Sequence, residues 1–261
     1  MNKIRLIPAI FIKDGFIVRS ENFISHKKIG NVVNEIQRYN HWNIDELFLI
    51  NISRKKDFDT NRQDHKIQAV KSLDEILNLV SKECFMPLTF GGGIRNYKTI
   101  KKLINEGADK VVINTMLHTD SKAVIEAVRS FGSQAIVGCV DYKCNNNILE
   151  FYTDNGSKKL NLNFDDLISH LKYIGVGEIF LNSIDNDGKG EGYDIEIVKK
   201  FISSIDLPVV ACGGASSIYD FKQLAKIKGI SGIAAGNMFH FTENIYPRAK
   251  KELKNSNLNF R

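Results

Sequence analysis

Hydrophobic positions along the chain fall in short, nearly unbroken runs separated by amphipathic stretches rich in lysine and glutamate. The runs cover residues 6–12, 47–52, 86–90, 111–114, 135–140, 179–182, 208–212 and 232–235. Strands covered on both faces show this continuous apolarity. The intervening stretches have helical spacing, as in 97–106, 121–131 and 194–205, and several open on Asn, Ser or Asp, the residues that cap helix amino termini. Eight alternations within 261 residues predict a parallel sheet, and a (βα)8 barrel accommodates them all as one domain over residues 1–261.

The two halves of the chain resemble each other. Gly92-Gly93 recurs as Gly213-Gly214, Leu103 matches Leu224, and Gly107 matches Gly229. Asn114-Thr115-Met116-Leu117-His118 matches Gly236-Asn237-Met238-Phe239-His240, and Asp45-Glu46-Leu47-Phe48 echoes Gly177-Glu178-Ile179-Phe180. The barrel is therefore expected to consist of two similar four-strand halves.

Composition narrows the class. Hydrophobic residues make up 43% of the chain and charged residues 25%, enough for a sizeable core. No apolar run is long enough to span a membrane and the first residues carry no cleavage pattern, so a soluble cytoplasmic protein is expected. Cys84, Cys139, Cys144 and Cys212 form no CxxC pair and read as reduced thiols. A net charge of +6 suits an anionic partner, but the lysines are scattered and no recognition motif accompanies them, so nucleic acid is not expected. The six histidines form no metal-ligand spacing, and no dinucleotide fingerprint or GxSxG elbow is present, so neither metal nor cofactor is expected.

Candidate chemistry lies at the strand ends. Gly92 and Gly93 follow the third strand and Gly213 and Gly214 the seventh; glycines there let backbone N–H groups approach an anion and lead it to a helix amino terminus. Asn114 and Thr115 after the fourth strand, and Gly236 and Asn237 after the eighth, complete two phosphate cradles, with Asp187 and Gly188 beside the second. Taken singly, each glycine reads equally as a tight turn; the duplication at matching strand ends points to a ligand phosphorylated at both ends.

The segments Lys13-Asp14-Gly15, 44–47, 90–94, 107–115, 131–135, 177–179, 183–188 and 192–194, in this order along nearly the whole chain, resemble the cyclase subunit of imidazole glycerol phosphate synthase. The resemblance implies a barrel that receives ammonia from a glutaminase subunit docked on its amino-terminal face. Arg5, Glu46, Lys110 and Glu178, each just before an apolar run, match that family's ammonia gate and are expected to form a neutral ring. Asp109 and Gln134 resemble residues near the glutaminase face and the floor.

At the opposite end the chain departs from the family. Cyclisation there relies on aspartates at the ends of the first and fifth strands, an acid and a base on opposite sides. Asp141 keeps the fifth-strand position, but the first-strand position is Phe11, and Asp14 lies too far into the following loop to replace it. Asn51 stands for an aspartate, Arg19 for a lysine and Asn182 for a threonine. With an apolar first-strand residue and the segment 83–89, the chain resembles a subgroup associated with sugar amidation, which implies ammonia supply to a sugar amidotransferase acting on an acetamido sugar of surface polysaccharide. Imidazole glycerol phosphate synthesis in histidine biosynthesis, with Asp141 as principal acid/base, and a non-catalytic scaffold binding a phosphorylated ligand are the alternatives. The polar stretch 53–66 reads as a docking surface, a lid or a tolerated insertion.

Overall fold

A computed structural model describes residues 3–54, 72–145, 148–241, 244–256 and 258–261. Eight parallel strands, Arg5–Lys13, Leu47–Asn51, Leu88–Gly91, Lys110–Ile113, Ile136–Asn145, Glu178–Ser183, Val209–Cys212 and Ile230–Ala235, pair in sequence order. The eighth pairs back on the first, Arg5 against Gly232 through Pro8 against Ala235, and closes the barrel. The expected (βα)8 fold is the one observed. Residues 55–71, most of the polar stretch read as a lid or insertion, lie outside the described residues.

A helix follows each strand and packs its apolar stripe on the outer barrel face. Asn31, Ser72, Asn96, Asp120, Asn163 and Asp194 accept from first-turn N–H groups, and Ser217 forms a capping box with Asp220. The fourth and eighth strands are each followed by an extra five-residue helix, Thr115–Thr119 and Asn237–Phe241, before the main one. None of the described helices is long and apolar enough to cross a membrane.

Two elements go beyond the expected pattern. The first strand turns back into an antiparallel sheet of Phe16–Glu21 and Ser25–Asn31. The fifth strand does not end at residue 140 as expected but runs to Asn145 and pairs with Ile148–Thr153. Beyond the barrel rim these segments have one wet face, so the continuous apolar signal stops where the strand does not. Both ribbons stand over the carboxyl-terminal mouth, one from each half.

The lumen is filled by inward-facing side chains, among them Ile7, Phe48, Val112, Val137, Phe180 and Val210. Phe48 and Phe180, on opposite strands, meet across the barrel with ring centroids 4.9 Å apart. A polar floor and a polar mouth are thus separated by an apolar plug.

Candidate functional site

The floor is built from the first inward-facing positions of the strands. Arg5 pairs with Glu46 and with Glu178. Lys110 Nζ lies 3.0 Å from Glu46 Oε1 and 2.8 Å from Glu178 Oε2, which closes the ring. Thr89 Oγ1 donates to Glu46 Oε1 at 2.7 Å, a member of the floor that the sequence reading missed. Burial works against the charge on Arg5, but the two carboxylates outweigh it and its pKa rises. Burial likewise disfavours the Glu46 carboxylate, yet Arg5, Lys110 and Thr89 together hold its pKa below the usual value. The four expected gate residues are brought together in the alternating order that neutralises them. Lys110 is the more accessible of the two cations, its side chain 24% exposed against 14% for Arg5.

Gln134 borders the outer entrance to this ring with Lys3 and Arg261. Asp109 is on the same amino-terminal face, exposed, its Oδ2 accepting from the Leu88 N–H at 2.8 Å. It lines a shallow groove with Cys84 and Phe85, and the Phe85 side chain stands in solvent.

At the mouth, Asp141 is buried and fully engaged. Asn114 Nδ2 donates to its Oδ2 at 2.7 Å and Asn182 Nδ2 to its Oδ1 at 3.0 Å, with the Cys139 thiol 3.5 Å from Oδ1. Burial pushes its pKa up to about 6, against the three hydrogen bonds that pull it down. A carboxyl group balanced near neutrality both gives and accepts a proton readily. Across the mouth, Phe11 is buried and packs edge-on against Phe23 of the first ribbon, centroids 6.3 Å apart. Asp14 is taken up in the turn at the start of that ribbon, where its N–H donates to Ser53 Oγ at 2.8 Å.

The cradle residues line two clefts, and Phe11 borders both. Gly92, Gly93, Asn114 and Thr115 line the first; Asp187, Gly188, Gly213, Gly214, Gly236 and Asn237 line the second. Gly92 has φ +89°, and a Cβ there would fall 1.9 Å from the Asn51 carbonyl oxygen; at Gly214, φ +100°, it would fall 1.9 Å from the Gly192 oxygen. Those two glycines are demanded by the chain's own packing. Gly93 is different: its φ is +71°, but a Cβ would meet nothing within 4 Å, because it faces the open cleft.

The ribbons close the clefts. The second ribbon lies over the first cleft, where the Asp154 N–H donates to Thr115 Oγ1 at 3.2 Å, Asn155 Nδ2 to the Ile52 carbonyl at 3.2 Å, and Arg95 pairs with Asp154 at 2.9 Å. The first ribbon leans on the second cleft, Asn237 Nδ2 donating to the Ser20 carbonyl at 2.9 Å. The Asp187 carboxylate faces this ribbon: its Oδ2 accepts from Ser20 Oγ at 2.6 Å and from the Phe23 N–H at 3.1 Å. A carboxylate repels a phosphate, so this side chain shapes the second cleft by anchoring the ribbon. Among the described residues, no group of three or more His, Cys, Asp or Glu is placed to hold a metal ion.

Comparison with known proteins matches residues 5–244 to a family model described as "Histidine biosynthesis protein". The relatives include a provisionally named imidazole glycerol phosphate synthase subunit hisF2 of Vibrio vulnificus (strain YJ016), 35% identical over 261 residues, which span all of this chain and 92% of the relative. Two named imidazole glycerol phosphate synthase subunit HisF are 33% identical, from Leuconostoc mesenteroides subsp. mesenteroides, and 34% identical, from Alkaliphilus metalliredigens (strain QYMF). Each match spans 98% of both chains. The chain belongs to the HisF-like imidazole glycerol phosphate synthase family.

For a HisF-like chain the mouth holds several residues that sequence reasoning did not find. Phe23, His26, Arg95, Asp154 and Asn155 all line the first cleft, yet they come from turns and ribbons without periodicity. One signal was available: Asp14-Gly15 between two largely apolar stretches, 6–12 and 16–18, marks a two-residue hairpin turn. Both have positive φ, 50° and 81°, and Lys13 pairs with Phe16 across them.

Proposed function

We propose that this chain is the barrel subunit of a glutamine-dependent amidotransferase. A glutaminase docks on the amino-terminal face around Asp109, and ammonia enters past Arg5, Glu46, Lys110 and Glu178 and leaves at the mouth. The observation that carries this reading is the closed neutral ring beneath an apolar lumen. Neutral ammonia crosses an apolar lumen at little cost, whereas ammonium would have to shed its hydration there. Lys110, the most exposed member, is the side chain whose swing opens the ring. The paired clefts suit a phosphorylated ligand, held through backbone and side-chain groups of Gly92, Gly93, Asn114 and Thr115 on one side and of Gly213, Gly214, Gly236 and Asn237 on the other.

Phe11 opposite Asp141 leaves one positioned carboxyl group where cyclisation uses two, a loss that typically lowers rates by about 10² to 10⁴. The ammonia therefore serves chiefly another acceptor. We assign it to an acetamido sugar of surface polysaccharide, handled with a sugar amidotransferase at the mouth. The test is cyclase turnover of the phosphoribulosyl-formimino aminoimidazole carboxamide ribotide intermediate with saturating ammonium, beside a Phe11→Asp variant. Turnover at least about 100-fold slower than the variant's is expected.

A second reading, imidazole glycerol phosphate synthesis, draws on the names of the full-length relatives and on the two complete clefts. Turnover in the unaltered chain equal to that of Phe11→Asp would replace the first reading with this one.

A further inference from the structure

A partition crosses the mouth between the two clefts. Phe11, near the end of the first strand, is the one described residue that lines both. One edge of its ring faces the second cleft, where a Cβ on Gly236 would lie 3.9 Å from Phe11 Cε2. On its other side it packs against Phe23. Phe23 carries the contact on to the second ribbon: a Cβ on Gly156 would fall 3.1 Å from Phe23 Cδ2 and 3.3 Å from Ile184 Cδ1. The row Phe11, Phe23, Gly156 thus runs from the first strand to the ribbon of the fifth, opposite it in the barrel order. The cradle of the third and fourth strands lies on one side of it, and that of the seventh and eighth on the other.

Hydrogen bonds fix the partition. Asn22 and Phe23 turn the first ribbon with φ of +54° and +57°, and the Ile24 N–H donates back to the Glu21 carbonyl at 3.1 Å. A bulky residue seldom adopts positive φ. Asp187 holds the turn in it: its carbonyl accepts from the Asn22 N–H at 3.0 Å, and its Oδ2 from the Phe23 N–H at 3.1 Å. The same Oδ2 accepts from Ser20 Oγ at 2.6 Å. Ser20 lines the first cleft and Asp187 the second, and both are buried, so this bond is a further element of the boundary.

We infer that Phe11 and Phe23 make the two clefts separate sites, each for a ligand phosphorylated at one end only. The inference rests on the reading of both clefts as phosphate cradles and narrows it. A ligand with a phosphate at each end has to displace the aromatic pair before both ends can bind. Joining two phosphates in one molecule raises affinity by about 10² to 10⁴ where both engage at once, and the gain is lost where geometry forbids it. Asp141 lines the first cleft and not the second, so an acceptor that meets this carboxyl group is held through the first cradle alone. Phe11, Phe23, Ile50 and Phe180 give that cleft apolar walls, which suit the methyl group of an acetamido acceptor beside its carbonyl. The second cleft, lined mostly by glycine and alanine, is left to a separate phosphate.

The experiment is calorimetry on the full chain, without ammonium or glutamine, with glycerol phosphate and with the ribotide intermediate, which carries a phosphate at each end. Glycerol phosphate should bind at two per chain, and the intermediate less than about tenfold more tightly than glycerol phosphate. Phe23→Ala should raise affinity for the intermediate by at least about 10²-fold, with glycerol phosphate still bound at two per chain and within about threefold of its former affinity. Phe23→Leu, which shortens the side chain but keeps the turn apolar, is read by the same criteria if the alanine variant loses either glycerol phosphate site. Binding of the intermediate to the unaltered chain at one per chain, about tenfold or more tighter than glycerol phosphate, overturns the inference. So does a Phe23 variant that keeps both glycerol phosphate sites and gains nothing for the intermediate. Absence of glycerol phosphate binding at both clefts is a different result, which removes the phosphate reading of the clefts and the inference with it.

Discussion

Phe11 and Asp141 hold equivalent positions on opposite sides of the barrel: each pairs with the returning strand of its own ribbon, Phe11 with Val18 and Asp141 with Tyr152. The two halves thus build the same platform and place different chemistry on it. Asp141 carries its carboxyl group into a dry pocket, and that placement has a measurable consequence for stability.

The Asp141 pKa of about 6 lies above its ordinary value of 3.8, mainly through burial. The folded chain therefore binds the extra proton between those values, and stability present at low pH is lost as pH rises through 6. Asp141→Asn removes the charge, and rotation of the Asn114 amide, which gives up the Nδ2 bond to the Tyr152 carbonyl, offers the new NH2 an acceptor in Asn114 Oδ1, which is buried without a partner. The variant should be more stable than the unaltered chain at pH 7.5 by roughly 1–3 kcal/mol. At pH 4 the difference should vanish, and melting curves at the two pH values check this.

The floor titrates in the opposite sense. Glu46 has a lowered pKa, its burial being outweighed by Arg5 and Lys110, so its contribution is present above the ordinary carboxylate range and is lost as pH falls. Glu46→Gln should melt below the unaltered chain at pH 7 and converge with it in acid. Lys110→Met leaves two glutamates facing Arg5 alone and should cost about 1–3 kcal/mol, read by urea unfolding.

Gly92 and Gly93 separate packing from ligand approach. Gly92→Ala drives a Cβ into the Asn51 carbonyl and should give poorly folded protein. Gly93→Ala meets only open space and bears just the positive-φ penalty, about 1 kcal/mol. It should fold, yet bind inorganic phosphate at least several-fold more weakly in calorimetry. Unchanged phosphate affinity in Gly93→Ala would remove this glycine from the first cradle.

Tyr246 ties the last helix to the floor. Its hydroxyl accepts from the Asp45 N–H at 2.9 Å and donates to the Leu6 carbonyl at 3.0 Å. Tyr246→Phe leaves both backbone groups without this partner, at a cost of about 1–3 kcal/mol, and should lower the melting temperature by several degrees.

The parts of this design that the sequence exposes are those governed by burial and by charge order. Barrel strands such as Val209–Cys212 announce themselves because both faces are covered, and the floor because Arg5, Glu46, Lys110 and Glu178 each stand just before an apolar run. The ribbons stayed hidden because Ser25–Asn31 is largely wet and carries no apolar alternation. The bonds to Asp141 come from Asn182 on the sixth strand and from Asn114 just past the fourth, and only the register that sets Asn182 beside Asp141 reveals the first of them. The mouth is therefore less legible than the floor: its lining comes from turns, where neither periodicity nor burial marks a position.

The floor ring also distinguishes self from non-self. Its two cations, Arg5 and Lys110, both come from the first half of the chain, together with Glu46; the second half brings only Glu178. Two copies of the first half would meet with surplus positive charge under their lumen, and two copies of the second with none to offset the acid. A repeat that looks interchangeable in outline is thus asymmetric at its base: only the unlike halves together balance the charge of the ring.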